Sequence, residues 1–178
     1  SRDANRFQFE RFILTQFLVM SLKGVPAFYL PALLASENDI KSFSMTGQRR
    51  DLNREKFKSD ILLSVLKNQE SNANKNLKFL RNAMDVRSEL KQFHPSSKMT
   101  CLSKGRSDIV VIKRGSGPKS VFAIHNMTEN KINYQLNDND LPEINGNDTN
   151  MLDFLTSTKY IWKNIILDPF QVVWLGSN

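Results

Sequence analysis

The run Val25-Pro26-Ala27-Phe28-Tyr29-Leu30 constrains the fold of this chain more than any other feature. It is apolar without polar alternation, the pattern of a strand buried on both faces of a parallel sheet. Before it, residues 6–22 predict a helix on which Phe7, Phe9, Phe12, Ile13, Leu14, Phe17, Leu18, Val19 and Met20 are apolar around nearly the whole circumference. A surface helix would show one stripe, so this one expects neighbours on several sides. Lys23 and Gly24 end it. A helix leading into a buried strand is α/β grammar, and a parallel strand needs a parallel partner. No later segment repeats the pattern, so the partner strands are expected outside this chain.

From Pro31 to Asn74 the sequence reads as a long polar connection broken by one short helix near Ser59–Leu66. Connections of that length in compact domains are usually functional or disordered. A second long helix is predicted over Asn74–Lys91, with Leu77, Leu80, Met84, Val86 and Leu90 as its stripe and Pro95 beyond its end. The period then changes to that of strands. These are predicted at Lys98–Leu102, Ile109–Lys113, Ser120–Asn126, Ile132–Leu136, Met151–Leu155, Trp162–Leu167 and Gln171–Leu175, divided by turns such as Lys104-Gly105 and Gly115-Ser116-Gly117-Pro118. Short strands at this spacing predict a small antiparallel β-sandwich. The stretch Asn137 to Asn150 is polar enough for a flexible loop.

In 178 residues with 40% hydrophobic content and 12 Phe, a packed interior is expected. The single cysteine, Cys101, cannot close an intrachain disulfide, which points to a reducing cytoplasm, and its thiol is expected to be buried and inert. His94 and His125 are the only histidines, so no Cys/His cluster forms a metal site. The first apolar stretch is interrupted by Arg11 and Gln16 and falls short of the roughly 20 residues of a membrane span. Ser1 opens the chain without an initiator Met or a leader pattern, as a cut into a longer polypeptide would. Sequons at Asn126–Thr128 and Asn147–Thr149 carry little weight without secretion.

A net charge of +7 raises nucleic-acid binding as a possibility, and the distribution answers it. Residues 37–60 hold six basic against five acidic residues, a net +1. Most of the excess lies in residues 98–119, where six basic residues face Asp108 alone, a net +5, with no Phe, Tyr or Trp to stack bases. A solvated basic face is the reading, and no nucleic-acid partner is expected. Trp162, Phe170 and Trp174 admit a sugar-stacking platform, although at strand spacing core packing is the commoner role.

Arg11-Phe12 through Phe28-Tyr29, then Glu37-Asn38-Asp39, then Thr46-Gly47-Gln48-Arg49-Arg50-Asp51-Leu52-Asn53-Arg54-Glu55-Lys56-Phe57 follow in order and spacing two patterns, "FLLxQxxxLSLxGVPAxYxxxLLxxxND" and "TGxxRxINRExF". The likeness continues through Arg87, Phe93-His94-Pro95, Asp153, Leu155-Thr156, Pro169-Phe170 and Val172 to Leu175. The chain thus resembles the C-terminal part of the sucrose phosphorylase branch of the alpha-amylase superfamily. The resemblance implies that residues 1–94 are the last helix-strand-helix of a (β/α)8 TIM barrel, and residues 95–178 a C-terminal β-sandwich domain. Pro31 to Phe57 would leave the carboxyl end of the last barrel strand, the face where barrel enzymes build their sites.

Relatives transfer a glucosyl group by double displacement to inorganic phosphate, a co-substrate and not a cofactor. Their nucleophile, their acid/base carboxylate and a third aspartate lie on earlier strands, before Ser1, so Asp39, Asp51 and Glu55 are not assigned those roles. No catalytic residue is therefore expected in this chain, and taken alone it is expected to be inactive. Arg50 matches an arginine near the sugar and phosphate pocket, and the other reading is an ion pair with Asp39 or Asp51. Asn53 and Arg54 match the motif, with bracing of the loop as their main expected role, and Asn38 and Asp39 match the family's paired Asn-Asp, with loop-shaping hydrogen bonds expected. Ala35 and Ser157 stand where relatives carry glycine. The partners implied are a small sugar, phosphate and the missing N-terminal barrel, with no membrane. A second reading is a non-catalytic remnant or weak carbohydrate-binding module.

Overall fold

The computed structural model describes residues 6–54, 56–103, 105–137, 139, 141 and 150–177. The predicted Asn137–Asn150 loop falls largely outside them, as do the sequon at residues 147–149, Lys104 and Glu55. The chain divides into two compact units, Ser1–Pro26 with Asn82–Asn178, and Ala27–Arg81. The breaks fall at 26/27 and 81/82, where the sequence reading put one boundary at 94/95.

The first unit is built on antiparallel strands, β1 (Met99–Cys101), β2 (Ile109–Arg114), β3 (Val121–Asn126), β4 (Ile132–Tyr134), β5 (Asn150–Asp153), β6 (Lys159–Ile161), β7 (Ile165–Leu167) and β8 (Val172–Gly176). Six form a sheet in the order β1-β2-β3-β8-β5-β6, while β4 pairs with β7. One face of the larger sheet presents Ile109, Val111, Phe122, Ile124, Val173 and Leu175, which share a core with Tyr134 of β4 and with Ile165 and Leu167 of β7. The β2–β3 turn is set by Gly115 and Gly117 at φ 80° and 72°, where L side chains are disfavoured.

Helix α1 (Gln8–Ser21) covers Trp174, whose neighbours along β8 face the shared core. Trp174 is fully buried, with Phe17 of α1 edge-on at 6.0 Å and Phe93 at 4.5 Å between ring centroids. Covering on both faces explains why every residue of β3 is buried. Trp174 and Trp162 are therefore core residues, not a sugar platform.

The C-terminal carbonyls of α1 have no basic residue of their own last turn near them. Two arginines from elsewhere supply the donors. Arg87 donates to Met20 O at 2.8 Å and to Gly24 O at 2.7 Å. The buried Arg114 donates to Ser21 O, Leu22 O and His94 O. Burial pulls both guanidinium pKa values down from their usual level.

The second unit holds α2 (Leu30–Leu33), α3 (Ile40–Thr46), a 3-10 helix over Arg49–Asn53, α4 (Ser59–Lys67) and the start of α5 (Asn72–Glu89). The predicted strand at 25–30 is corrected here, for residues 25–29 form no regular element and Leu30 begins α2. Val25 is 81% exposed, and Tyr29 and Leu30 are exposed as well. A strand needs a neighbour to take its N–H and C=O groups, and the described residues offer it none. The polar connection after it is also more helical than expected, because Pro31 lies in the first turn of α2, Asp39 caps α3, and Gly47 at φ 67° stops α3.

Two further expectations change. Trp162 lies in a turn and the strand before it, β6, was not foreseen. Cys101 is exposed, not buried, because β1 is an edge strand and the thiol alternates to its open side.

Ala35 and Ser157 adopt left-handed backbone, φ 48° and 61°. The conformation costs a non-glycine residue roughly 1–2 kcal/mol, while glycine loosens the unfolded chain by about 0.4–1 kcal/mol. Ala35→Gly and Ser157→Gly are each expected to raise the melting temperature by about 1–2 °C. A fall in thermal melts of either variant contradicts this.

Candidate functional site

The loop-bearing unit draws the motif residues together through backbone and hydroxyl bonds. Asp39 N donates to Leu52 O at 2.8 Å, which sets Asn38 and Asp39 beside the 3-10 helix that carries Arg50 and Asn53. The Asp39 carboxylate accepts from Ser42 N at 2.9 Å and Ser42 Oγ at 2.5 Å, capping α3. Those two bonds hold its pKa below the usual carboxylate value. Thr46 Oγ1 donates to Asp51 Oδ2 at 2.5 Å and accepts from Gln48 N at 3.2 Å.

Asp39 and Asp51, the two carboxylates that the sequence offers Arg50 for an ion pair, are thus engaged by hydroxyls. Among the described residues no ion pair or hydrogen bond of the Arg50 guanidinium is found, and Arg50 is exposed. The ion-pair reading of Arg50 is therefore absent from the structure. Asn38, Asn53 and Arg54 are also exposed. Arg49, Arg50 and Arg54 present three exposed guanidiniums within six residues, donors suited to phosphate oxygens and sugar hydroxyls. Ser42 and Thr46 were not singled out in the sequence, although Asp39 three residues before Ser42 is a capping pattern.

Two cavities lie elsewhere. One of about 780 Å³ is lined in the first unit by Gly24, Val25, Arg87, Phe93, His94 and others. The other, about 340 Å³, lies under the loop against Leu34, Ser36, Lys56, Phe57, Ile61 and Ala73 among others. Neither is lined by Asn38, Asp39, Arg50, Asn53 or Arg54. Among the described residues no group of three His, Cys, Asp or Glu could hold a metal ion, and no helix is long and apolar enough to cross a membrane.

Two buried polar groups in the first unit are structural. Asp153 accepts from Trp174 N at 2.8 Å, Leu155 N at 3.2 Å and Thr156 Oγ1 at 2.6 Å, joining the turn after β5 to β8. Asn126 is buried, with Nδ2 donating to Asn130 O and Asp168 O at 2.7 Å, so this sequon asparagine has no side-chain nitrogen to offer a glycan in the fold.

A glucosylglycerate phosphorylase of Allomeiothermus silvanus is 31% identical over 129 residues, 72% of this chain and 23% of that protein. The structure of Bacillus licheniformis trehalose-6-phosphate hydrolase superposes over 97% of this chain and 39% of its own, with a TM-score of 0.68 and 13% identity. This chain is a relative of the sucrose-phosphorylase-like branch of the alpha-amylase superfamily. It matches the C-terminal part of that branch. The Escherichia coli (strain K12) glucosylglycerate phosphorylase is 23% identical over 165 residues, 93% of this chain and 28% of that protein. The chain spans about a quarter of the length of these curated relatives. No protein-family model matches the sequence. The fold is that of the superfamily's neighbours, and its antiparallel-sheet unit is consistent with their C-terminal domain.

Proposed function

We propose that this chain supplies the C-terminal portion of a glycoside phosphorylase, which moves a glucosyl group from an alpha-glucoside to inorganic phosphate and releases glucose 1-phosphate. In this reading residues 1–94 complete a (β/α)8 barrel and residues 95–178 form a β-sandwich that braces it. Val25–Leu30, with Val25, Ala27, Tyr29 and Leu30 exposed here, becomes the last barrel strand once its neighbours are supplied. The partners are the sugar, phosphate and the rest of the barrel, in a reducing cytoplasm, without nucleic acid, metal or membrane. The curated relatives favour glucosylglycerate as the glucoside to assay first, with sucrose second.

The observation that carries the reading is the exposed guanidinium of Arg50, unpaired among the described residues, on a loop where Asp39 and Asp51 are engaged by hydroxyls. Asn53 and Arg54 brace that loop, and Asn38 and Asp39 shape it by hydrogen bonds beside the substrate. Bond cleavage belongs to carboxylates outside this chain.

Arg50→Lys keeps the charge and loses the planar fork of donors. In the phosphorylase containing this chain, kcat/KM for phosphate is expected to fall at least about tenfold, equivalent to roughly 1.4 kcal/mol of transition-state binding. The melting temperature of the same variant is expected to stay within about 2 °C, because Arg50 is exposed. Near-wild-type turnover with unchanged phosphate dependence removes Arg50 from the site.

A further inference from the structure

Two asparagines at the start of α5 hold the two ends of the loop segment that carries Arg50. Asn76 is fully buried, and its Nδ2 donates to Ala32 O and Leu33 O, both at 2.8 Å. These carbonyls close α2, immediately before the left-handed Ala35 turn that redirects the chain toward Asn38 and Asp39. Two residues earlier on the same helix, Asn74 Nδ2 donates to Leu66 O at 2.6 Å, near the end of α4. Between the two anchors run all five residues that the sequence singled out for substrate.

Packing holds that segment at the buried Leu34 but leaves most of residues 37–50 exposed. The cavity of about 340 Å³ lies beneath it, bounded by Leu34 and Ser36 on one side, Phe57 and Ile61 on the other, and Ala73 of α5. A void withdraws dispersion contacts from its lining. The directional bonds from α5 add to the burial of Leu34 in tying down the two ends of the segment. An asparagine suits the task because one amide nitrogen reaches two adjacent carbonyls at the end of a short helix, adding a donor at Ala32 O beside the Ala35 amide.

We infer that Asn76 is a positioning residue for the Arg50 loop, acting through the carbonyls of Ala32 and Leu33 rather than on substrate; the functional part of this rests on the phosphorylase reading. Asn74 serves as its counterpart at the far end.

Amide hydrogen exchange of the 178-residue chain tests the positioning. Asn76→Ala is expected to speed exchange at least tenfold at Asp39, Ser42 and Phe43, whose amides bond to Leu52 O, Asp39 Oδ1 and Asp39 O, while β3 amides keep their protection. Acceleration confined to residues 33–36 overturns the inference, since that is the signature of a local structural bond. Should Asn76→Ala fail to fold, Asn76→Ser, which keeps one donor, is read by the same criteria. In the full phosphorylase, Asn76→Ala is expected to raise KM for phosphate at least fivefold with kcat within twofold, and an unchanged KM overturns the functional part. If Arg50→Lys is silent while the loop amides still accelerate in Asn76→Ala, the phosphorylase reading fails and the positioning stands.

Discussion

Lowering the pH from 7 to 4 is expected to remove roughly 3 kcal/mol of folding stability through His125 alone. The ring is fully buried on β3, with Nε2 at 3.1 Å from Ser21 Oγ of α1 and Nδ1 at 3.3 Å from Val110 O. Burial is the largest influence and pushes its pKa from 6.5 down to about 4, against the raising effect of backbone carbonyls that include Val110 and Phe17. The folded ring therefore stays neutral between pH 6.5 and 4 while the unfolded chain takes up a proton. Excess proton binding by the unfolded state lowers stability as pH falls, so the loss builds through that window and levels off below it. Asp153 acts in the opposite sense, because burial raises its carboxyl pKa and its protonation favours the fold as pH falls. Urea unfolding at half-unit pH steps, repeated with His125→Gln, isolates the histidine. Its slope disappears in the variant, and identical slopes in the two proteins contradict the assignment.

Asp153→Ala is expected to cost about 3 kcal/mol and to lower the melting temperature by roughly 10 °C. The carboxylate takes donors from Trp174 N, Leu155 N and Thr156 Oγ1, and it is itself buried. Truncation leaves the Trp174 amide without a partner inside the sheet, and a buried unsatisfied donor costs about 1–3 kcal/mol. The bond from Ser157 N to Asp153 O at 2.7 Å stays, so the turn is weakened and not abolished. Asp153→Asn retains the shape but turns one acceptor into a donor against one of its three partners, and its loss is expected to be intermediate. A Tm change of less than about 2 °C in Asp153→Ala contradicts the account.

The β-strands were largely legible because alternation and turn residues are local signals. Ile109, Val111 and the Gly115–Pro118 turn announce β2 and its end without reference to the rest of the chain. The strand β6, three residues ending at Ile161, is too short to show a period. The run Val25–Leu30 forms no strand here for a physical reason, since its composition is suited to neighbours that the described residues do not supply, and composition alone cannot supply a ladder of hydrogen bonds. Cys101 was misjudged because average thiol burial says nothing of edge position. In the candidate site, the motif residues were found by likeness to a family. Their arrangement was not, because it depends on Ser42, Thr46 and Asn76, polar residues whose meaning appears only when the carbonyls and carboxylates they serve are in place.

The most direct measurement is the release of glucose 1-phosphate from a panel of glucosides, glucosylglycerate and sucrose among them, by the full protein that contains this sequence and by the 178-residue chain alone. The account predicts phosphate-dependent release by the full protein and none by the isolated chain, because the proposal assigns cleavage of the glycosidic bond to carboxylates outside these residues. Activity in the isolated chain that disappears on mutating Asp39 or Asp51, or a full protein that hydrolyses glucosides equally well without phosphate, contradicts it.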